Sequence, residues 1–221
     1  MRRFLMENVK TGKEKQLVYA REYKRLSKAI KEEYYLEAIV IGYAIVEDRL
    51  VSFLHHAGIV SRNRDDLRIN RCVYPYIRRL LGKKDDSTVK VKDITVKINL
   101  ICKLLSLSAE RAVEIDDEVE NLFLANGKKS ITRKGYMTDL HLQVNNTIDW
   151  ELIADIFYEL DSWRKERNQL IHALLNKTIL SSEDAEKRCA IKGNEITRNI
   201  DNCLVKPFKV NNRIRKKYNI Q

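Results

Sequence analysis

Between Lys13 and Glu33 the apolar residues Leu17, Ala20, Leu26 and Ile30 return at close to helical spacing among many charges, which predicts an amphipathic surface helix. The next segment, Tyr35 to Ala57, carries Leu36, Ile39, Val40, Tyr43, Val46, Leu50, Phe53 and Leu54, with Ile41 and Ile45 adding apolar surface on other sides. A helix apolar almost all round belongs at the centre of a bundle. Gly58 follows it as a residue able to turn the chain out of the helix. From Ser61 to Lys92 the pattern dissolves into polar, basic text with Pro75, although Val73, Tyr76, Ile77, Leu80 and Leu81 fit a short helix.

After Asp93, a residue suited to an N-cap, Ile94, Ile98, Ile101, Leu104 and Leu105 recur at helical spacing. A strand through Val89, Val91, Ile94, Val96 and Ile98 competes with that helix, but the apolar clusters continuing from Leu100 to Leu107 do not fit strict alternation. The chain's main acidic stretch, Glu110 to Leu124, is broken by Asn126 and Gly127 and followed by a loop with Lys128, Lys129, Arg133 and Lys134. The strongest helical pattern opens at Asp149, burying Leu152, Ile153, Ile156, Phe157, Leu160 and Trp163, and continues through Leu170, Ile171, Leu174 and Leu175. Ser181 and Asp184 resemble a capping box that starts a last helix, expected to end near Leu204 before Pro207. The expected fold is therefore all-α, an up-and-down helical bundle in one domain over residues 1–205, with an insertion at about 59–92 and a basic tail over 206–221.

With 2 Pro and 7 Gly in 221 residues, composition agrees with long helices rather than many-turned sheets. The formal charge of +11 changes the picture more, because it requires positive potential at the surface and suits polyanions such as RNA. Solubility alone is the plainer reading of the same charge. Lys209, Arg213, Arg215, Lys216 and Lys217, in a tail without acids, are the expected RNA-contacting cations. Cys72, Cys102, Cys189 and Cys203 lie too far apart for a zinc or redox motif, and read as reduced thiols of a cytoplasmic protein. Residues Met1 to Met6 lack the apolar core of a signal peptide, and the apolar run Ala38 to Val46 is too short to span a bilayer, so no membrane partner is expected. Glu114, Asp116, Asp117, Glu118 and Glu120 read as a solvated helix face without a nearby histidine. Neither a metal nor a cofactor is expected, and no glycine-rich phosphate loop is present.

One constellation carries chemistry. The segment Arg164-Lys165-Glu166-Arg167-Asn168-Gln169-Leu170-Ile171-His172 places an arginine, a polar residue beside it and a histidine five positions on within the strongest helix. This resembles the arginine, four residues, histidine motif of HEPN domains, and the likeness extends over the helices of about 13–57 and 94–176. The resemblance implies metal-independent endoribonuclease activity on single-stranded RNA or tRNA in a toxin or antiphage-defence role. In that chemistry a ribose 2′-hydroxyl attacks its own phosphate and leaves cyclic phosphate and 5′-hydroxyl ends. His172 would move protons, Arg167 would stabilise phosphate charge, and Asn168 would orient the reacting groups. Residues five apart on a helix diverge by about 140° and rise about 7.5 Å, so one copy makes a poor pocket and a homodimer is expected to complete it. An antitoxin or regulatory partner fits the same role.

Alternatives stay open at this point. His172 also fits a satisfied core histidine, Arg167 a surface ion-pair partner, and the whole chain a non-catalytic RNA-binding or scaffolding helical protein. Glu47 and Asp48 interrupt the central helix, and Glu47 is a candidate to hold Arg167 or Arg164 in place, to form an ion pair in the neighbourhood of Arg49, or to occupy a surface position. His55 and His56 fit cationic residues at a helix C-terminus, and His141 has no recognisable partner.

Overall fold

The computed structural model describes residues 12–63, 66–70, 73–83, 90–110, 140, 143–144, 146–176 and 183–211. These are mostly helical, and the fold class is all-α. In chain order the elements are α1 (Gly12–Lys31), α2 (Tyr35–His56), β1 (Val60–Asn63), β2 (Asp66–Ile69), α3 (Tyr74–Leu80), α4 (Ile94–Glu110), α5 (Trp150–Asn176) and α6 (Glu183–Asn199). A π-helical turn, Ile200–Val205, then leads into α7 (Lys206–Asn211). The acidic stretch beyond Glu110, the basic loop after Gly127, His141 and Ser181 lie outside the described residues.

The chain divides into two compact units. One comprises Met1–Arg49 and Tyr158–Asp201, the other Leu50–Phe157 and Asn202–Gln221.

In the first unit α1 buries only part of the face that its apolar positions suggest. Leu17 is 72% exposed and Ala20 is exposed, while Tyr19, Glu22, Leu26 and Ala29 form the inward seam. Glu22 is tolerated there because Arg21 Nε and Arg25 Nη1 donate to its two carboxylate oxygens at 3.0 and 2.9 Å. The helix ends in a Schellman turn: Tyr34 N–H donates to Ala29 and Glu33 N–H to Ile30, with Glu33 in the left-handed region at φ 63°. Where α2 meets α6 the backbones approach closely at two glycines. A Cβ on Gly42 would lie 3.8 Å from the Gly193 backbone, and a Cβ on Gly193 would lie 2.6 Å from the ring of Trp163. Thr197 Oγ1 fills the remaining space and donates to Gly193 O at 2.5 Å.

In the second unit α2 ends as Gly58 predicts, at φ 72°. Ile59 N–H donates to Leu54 and Gly58 N–H to His55, which completes a second Schellman turn. The insertion at about 59–92, read as polar, basic text with one short helix, begins with an antiparallel hairpin, β1 with β2, in which the inward residues Val60 and Ile69 oppose each other. Asn70 anchors it, since its Nδ2 donates to Gly58 O at 2.5 Å and its N–H to Ile59 O at 2.9 Å. The short helix expected around Ile77 is α3, with Ile77 buried. The 94–105 segment is helical, and α4 buries Ile94, Ile98, Leu100, Ile101, Leu104 and Leu105. Lys97, 1% exposed, is accommodated because its Nζ donates to Lys92 O at 2.9 Å.

The chain end departs from the expected boundary. A last helix ending near Leu204 and a basic tail from 206 were anticipated, yet helical structure continues to Asn211, with Pro207 directly after the π-helical turn. Phe208 is 0% exposed and packs on Phe53, ring centroids 4.7 Å apart. An aromatic residue among basic ones therefore belongs to the core, and only its charged neighbours face water.

Candidate functional site

The candidate motif lies on α5, which starts where Asp149 Oδ1 accepts the Leu152 N–H at 3.2 Å, an N-cap bond. Ile153, Ile156, Phe157, Leu160, Trp163 and Leu170 are buried along its length, whereas Leu152, expected inside, is exposed. In the first unit the anchor is Trp163, whose indole N–H donates to Cys189 O on α6 at 2.8 Å. Burial, then the charge of Glu166, push the Cys189 thiol up to about 12, so it is a neutral packing residue at physiological pH.

Rows at i, i+4 spacing separate the motif residues. Arg164, Asn168 and His172 share one row, and Trp163, Arg167 and Ile171 share the next. His172 is exposed, while Arg164, Arg167 and Asn168 are half-buried. Arg164 is occupied: its Nη2 and Nε reach Asp161 Oδ1 at 2.7 and 3.0 Å, and Lys165 Nζ reaches Asp161 Oδ2 at 2.7 Å. The hydrogen bonds from Lys165 and Arg164 hold the Asp161 carboxyl below the usual carboxylate range.

Arg167 is held differently. Its guanidinium carbon stands 3.7 Å from the centroid of the Tyr43 ring on α2, a cation–π stack, and its Nε is buried without a hydrogen-bond partner among the described residues. No carboxylate among the described residues is paired with it. Tyr43 entered the sequence pattern only as one more apolar position; a partner 124 positions away, Arg167 counted from Tyr43, leaves no local signal. Glu47, the residue proposed to hold the arginine, is half-buried one turn further along α2.

A second polar cluster was not anticipated. Arg49 lies 3.4 Å from the centroid of the Tyr19 ring and its Nη2 donates to Asp201 Oδ2 at 3.0 Å. Tyr19 donates to Asp48, which Lys15 also meets at 3.3 Å. Tyr23 donates to Asp201 at 3.3 Å, and its phenol is pushed up to about 12 by burial and by the Asp201 charge. Each cation here faces a carboxylate, so the cluster reads as a buried tie between α1, α2 and the π-helical turn rather than as a place for a ligand.

Of the expected RNA-contacting cations, Lys209 is exposed on α7, and Arg213, Arg215, Lys216 and Lys217 lie outside the described residues. Among the described residues no group of three or more His, Cys, Asp or Glu side chains is arranged to hold a metal ion. No described helix is long and apolar enough to cross a membrane. No protein-family model, curated protein or solved structure matches the chain.

Proposed function

We propose that the chain is a metal-independent endoribonuclease of the HEPN kind, acting on single-stranded RNA or tRNA in a toxin or antiphage-defence role. The observation that carries this reading is the state of Arg167: a guanidinium fixed on a ring face, with no carboxylate paired to it among the described residues. Such a cation is preorganised for phosphate charge. His172, exposed about 7.5 Å further along the same helix, supplies an imidazole able to take up and give back a proton.

Cleavage would begin as a histidine takes the 2′-hydroxyl proton and O2′ bonds to the adjacent phosphorus. The P–O5′ bond then breaks, with a proton delivered to O5′, leaving a 2′,3′-cyclic phosphate. Arg167 would neutralise charge gathering on the non-bridging oxygens. Because the two side chains diverge around α5, a two-fold dimer supplies both the base and the acid from its two His172 residues, and two arginines around one cleft. Unpaired RNA suits this chemistry because it can reach in-line geometry.

The test is incubation of purified protein with total RNA in excess chelator. Cleavage by the wild type should persist, and Arg167→Ala and His172→Ala should each lower its rate on the order of 100-fold or more while helical circular dichroism is unchanged. Asn168→Ala should lose less. Wild-type rates in either of the first two variants, or no cleavage by the native chain, would refute the assignment.

A further inference from the structure

We infer that Tyr43 is a positioning residue for Arg167, an inference that rests on the ribonuclease reading. The other half-buried arginines in the same unit each have an acid partner as well: Arg49, which also lies on the Tyr19 ring, pairs with Asp201 at 3.0 Å, and Arg164 with Asp161 at 2.7 Å. A carboxylate holds a guanidinium at the expense of its charge, and then competes with any phosphate for the same N–H donors. A ring face has no such cost. It fixes the guanidinium plane through the quadrupole and dispersion, and leaves the positive charge and the edge donors available.

The burial of Arg167 Nε sharpens this. With that edge against protein, the donors left to meet a phosphate are the two Nη groups. The base of the side chain is held as well, because Trp163 one turn earlier is fully buried and bonded to Cys189 O at 2.8 Å. Tyr43 thus acts on the far end of a side chain whose near end is already fixed. Its ring, and not a charge, sets the plane in which Arg167 meets the reacting phosphate.

The experiment is a double-mutant cycle on RNA cleavage. Tyr43→Phe keeps the ring face and should hold kcat within about 3-fold of wild type, while Tyr43→Leu should lower kcat about 10-fold, with a smaller change in KM and an unmoved pH profile. In the Arg167→Ala background, Tyr43→Leu should add no further loss. Guanidinium chloride added to the Arg167→Ala chain should restore part of the rate, and less of it when Leu replaces Tyr43. If the leucine chain fails to fold by circular dichroism, Tyr43→Met replaces it in the cycle. Wild-type kcat in the Leu or Met chain, or an equal loss whether or not Arg167 is present, would overturn the positioning role while leaving the ribonuclease reading in place. Unchanged cleavage by Arg167→Ala alone would instead bring down that reading, and this inference with it.

Discussion

Replacing Gly193 with alanine adds a single methyl group to the middle of α6, a change that helix propensity alone rewards by about 1 kcal/mol. The surroundings reverse that sign. The new Cβ would stand 2.6, 2.9 and 3.0 Å from three atoms of the Trp163 indole, against an ordinary contact of about 3.4 Å or more. Trp163 is fully buried and its N–H is bonded to Cys189 O, so the ring cannot move aside without breaking that bond or displacing α6. Overpacking of this kind costs about 1–3 kcal/mol, and weakening the indole bond adds about 1 kcal/mol. After the propensity gain, Gly193→Ala should destabilise the protein by about 1–3 kcal/mol. Gly42 is the internal control, since its added Cβ would meet nothing nearer than Thr197 Oγ1 at 3.6 Å. Gly42→Ala should therefore be neutral or stabilising by up to about 1 kcal/mol. Urea denaturation followed by circular dichroism at equal m-values measures both. A Gly193→Ala chain as stable as Gly42→Ala would refute the close packing of α6 on Trp163.

Two more outcomes are expected. Because Phe208 is fully buried against Phe53, Phe208→Ala should destabilise the protein by about 3–5 kcal/mol, and deletion from Pro207 onward should do no less; urea midpoints decide this. Raising the Tyr23 phenol to about 12 means that the folded chain keeps a proton the unfolded chain loses near pH 10, so this contribution is full below pH 10 and is lost as pH rises toward 12. Between pH 9 and 11.5 the wild type should lose on the order of 1–2 kcal/mol more stability than Tyr23→Phe, a figure discounted for partial exposure, and equal slopes would exclude the effect.

What could be read from sequence followed from periodicity. The positions of α1, α2, α4 and α5 are set by runs long enough to average out single residues, and Gly58 and Asp149 carry local chemistry that fixes an end. The hairpin of β1 and β2 escaped because each strand has four residues, too few for alternation to stand out among arginines and aspartates. Phe208 escaped for a related reason: one aromatic in a basic segment carries no period. The site was legible only in part. Arg167 and His172 could be picked out as candidates because they stand in one helix, while the contact of Tyr43 with Arg167 was hidden because tertiary packing alone brings α2 beside α5. On α1 the leucine at 17 pointed to the wrong face, since the network around Tyr19 and Glu22 outweighs a lone apolar side chain.

The division of the chain at Arg49, Phe157 and Asp201 gives each unit two stretches of sequence separated by part of the other. No single cut releases either one as a contiguous fragment, so expressing 1–49 or 50–157 alone would produce segments lacking their packing partners. The first unit must close a loop over residues 50–157 before its helices meet. Closure entropy grows only with the logarithm of loop length, so the thermodynamic penalty is modest, but the contacts that reward it are all distant in sequence. Folding of that unit should accordingly be slow for a helical protein, and a ribosome must have delivered α6 before the pocket of Trp163 can be filled.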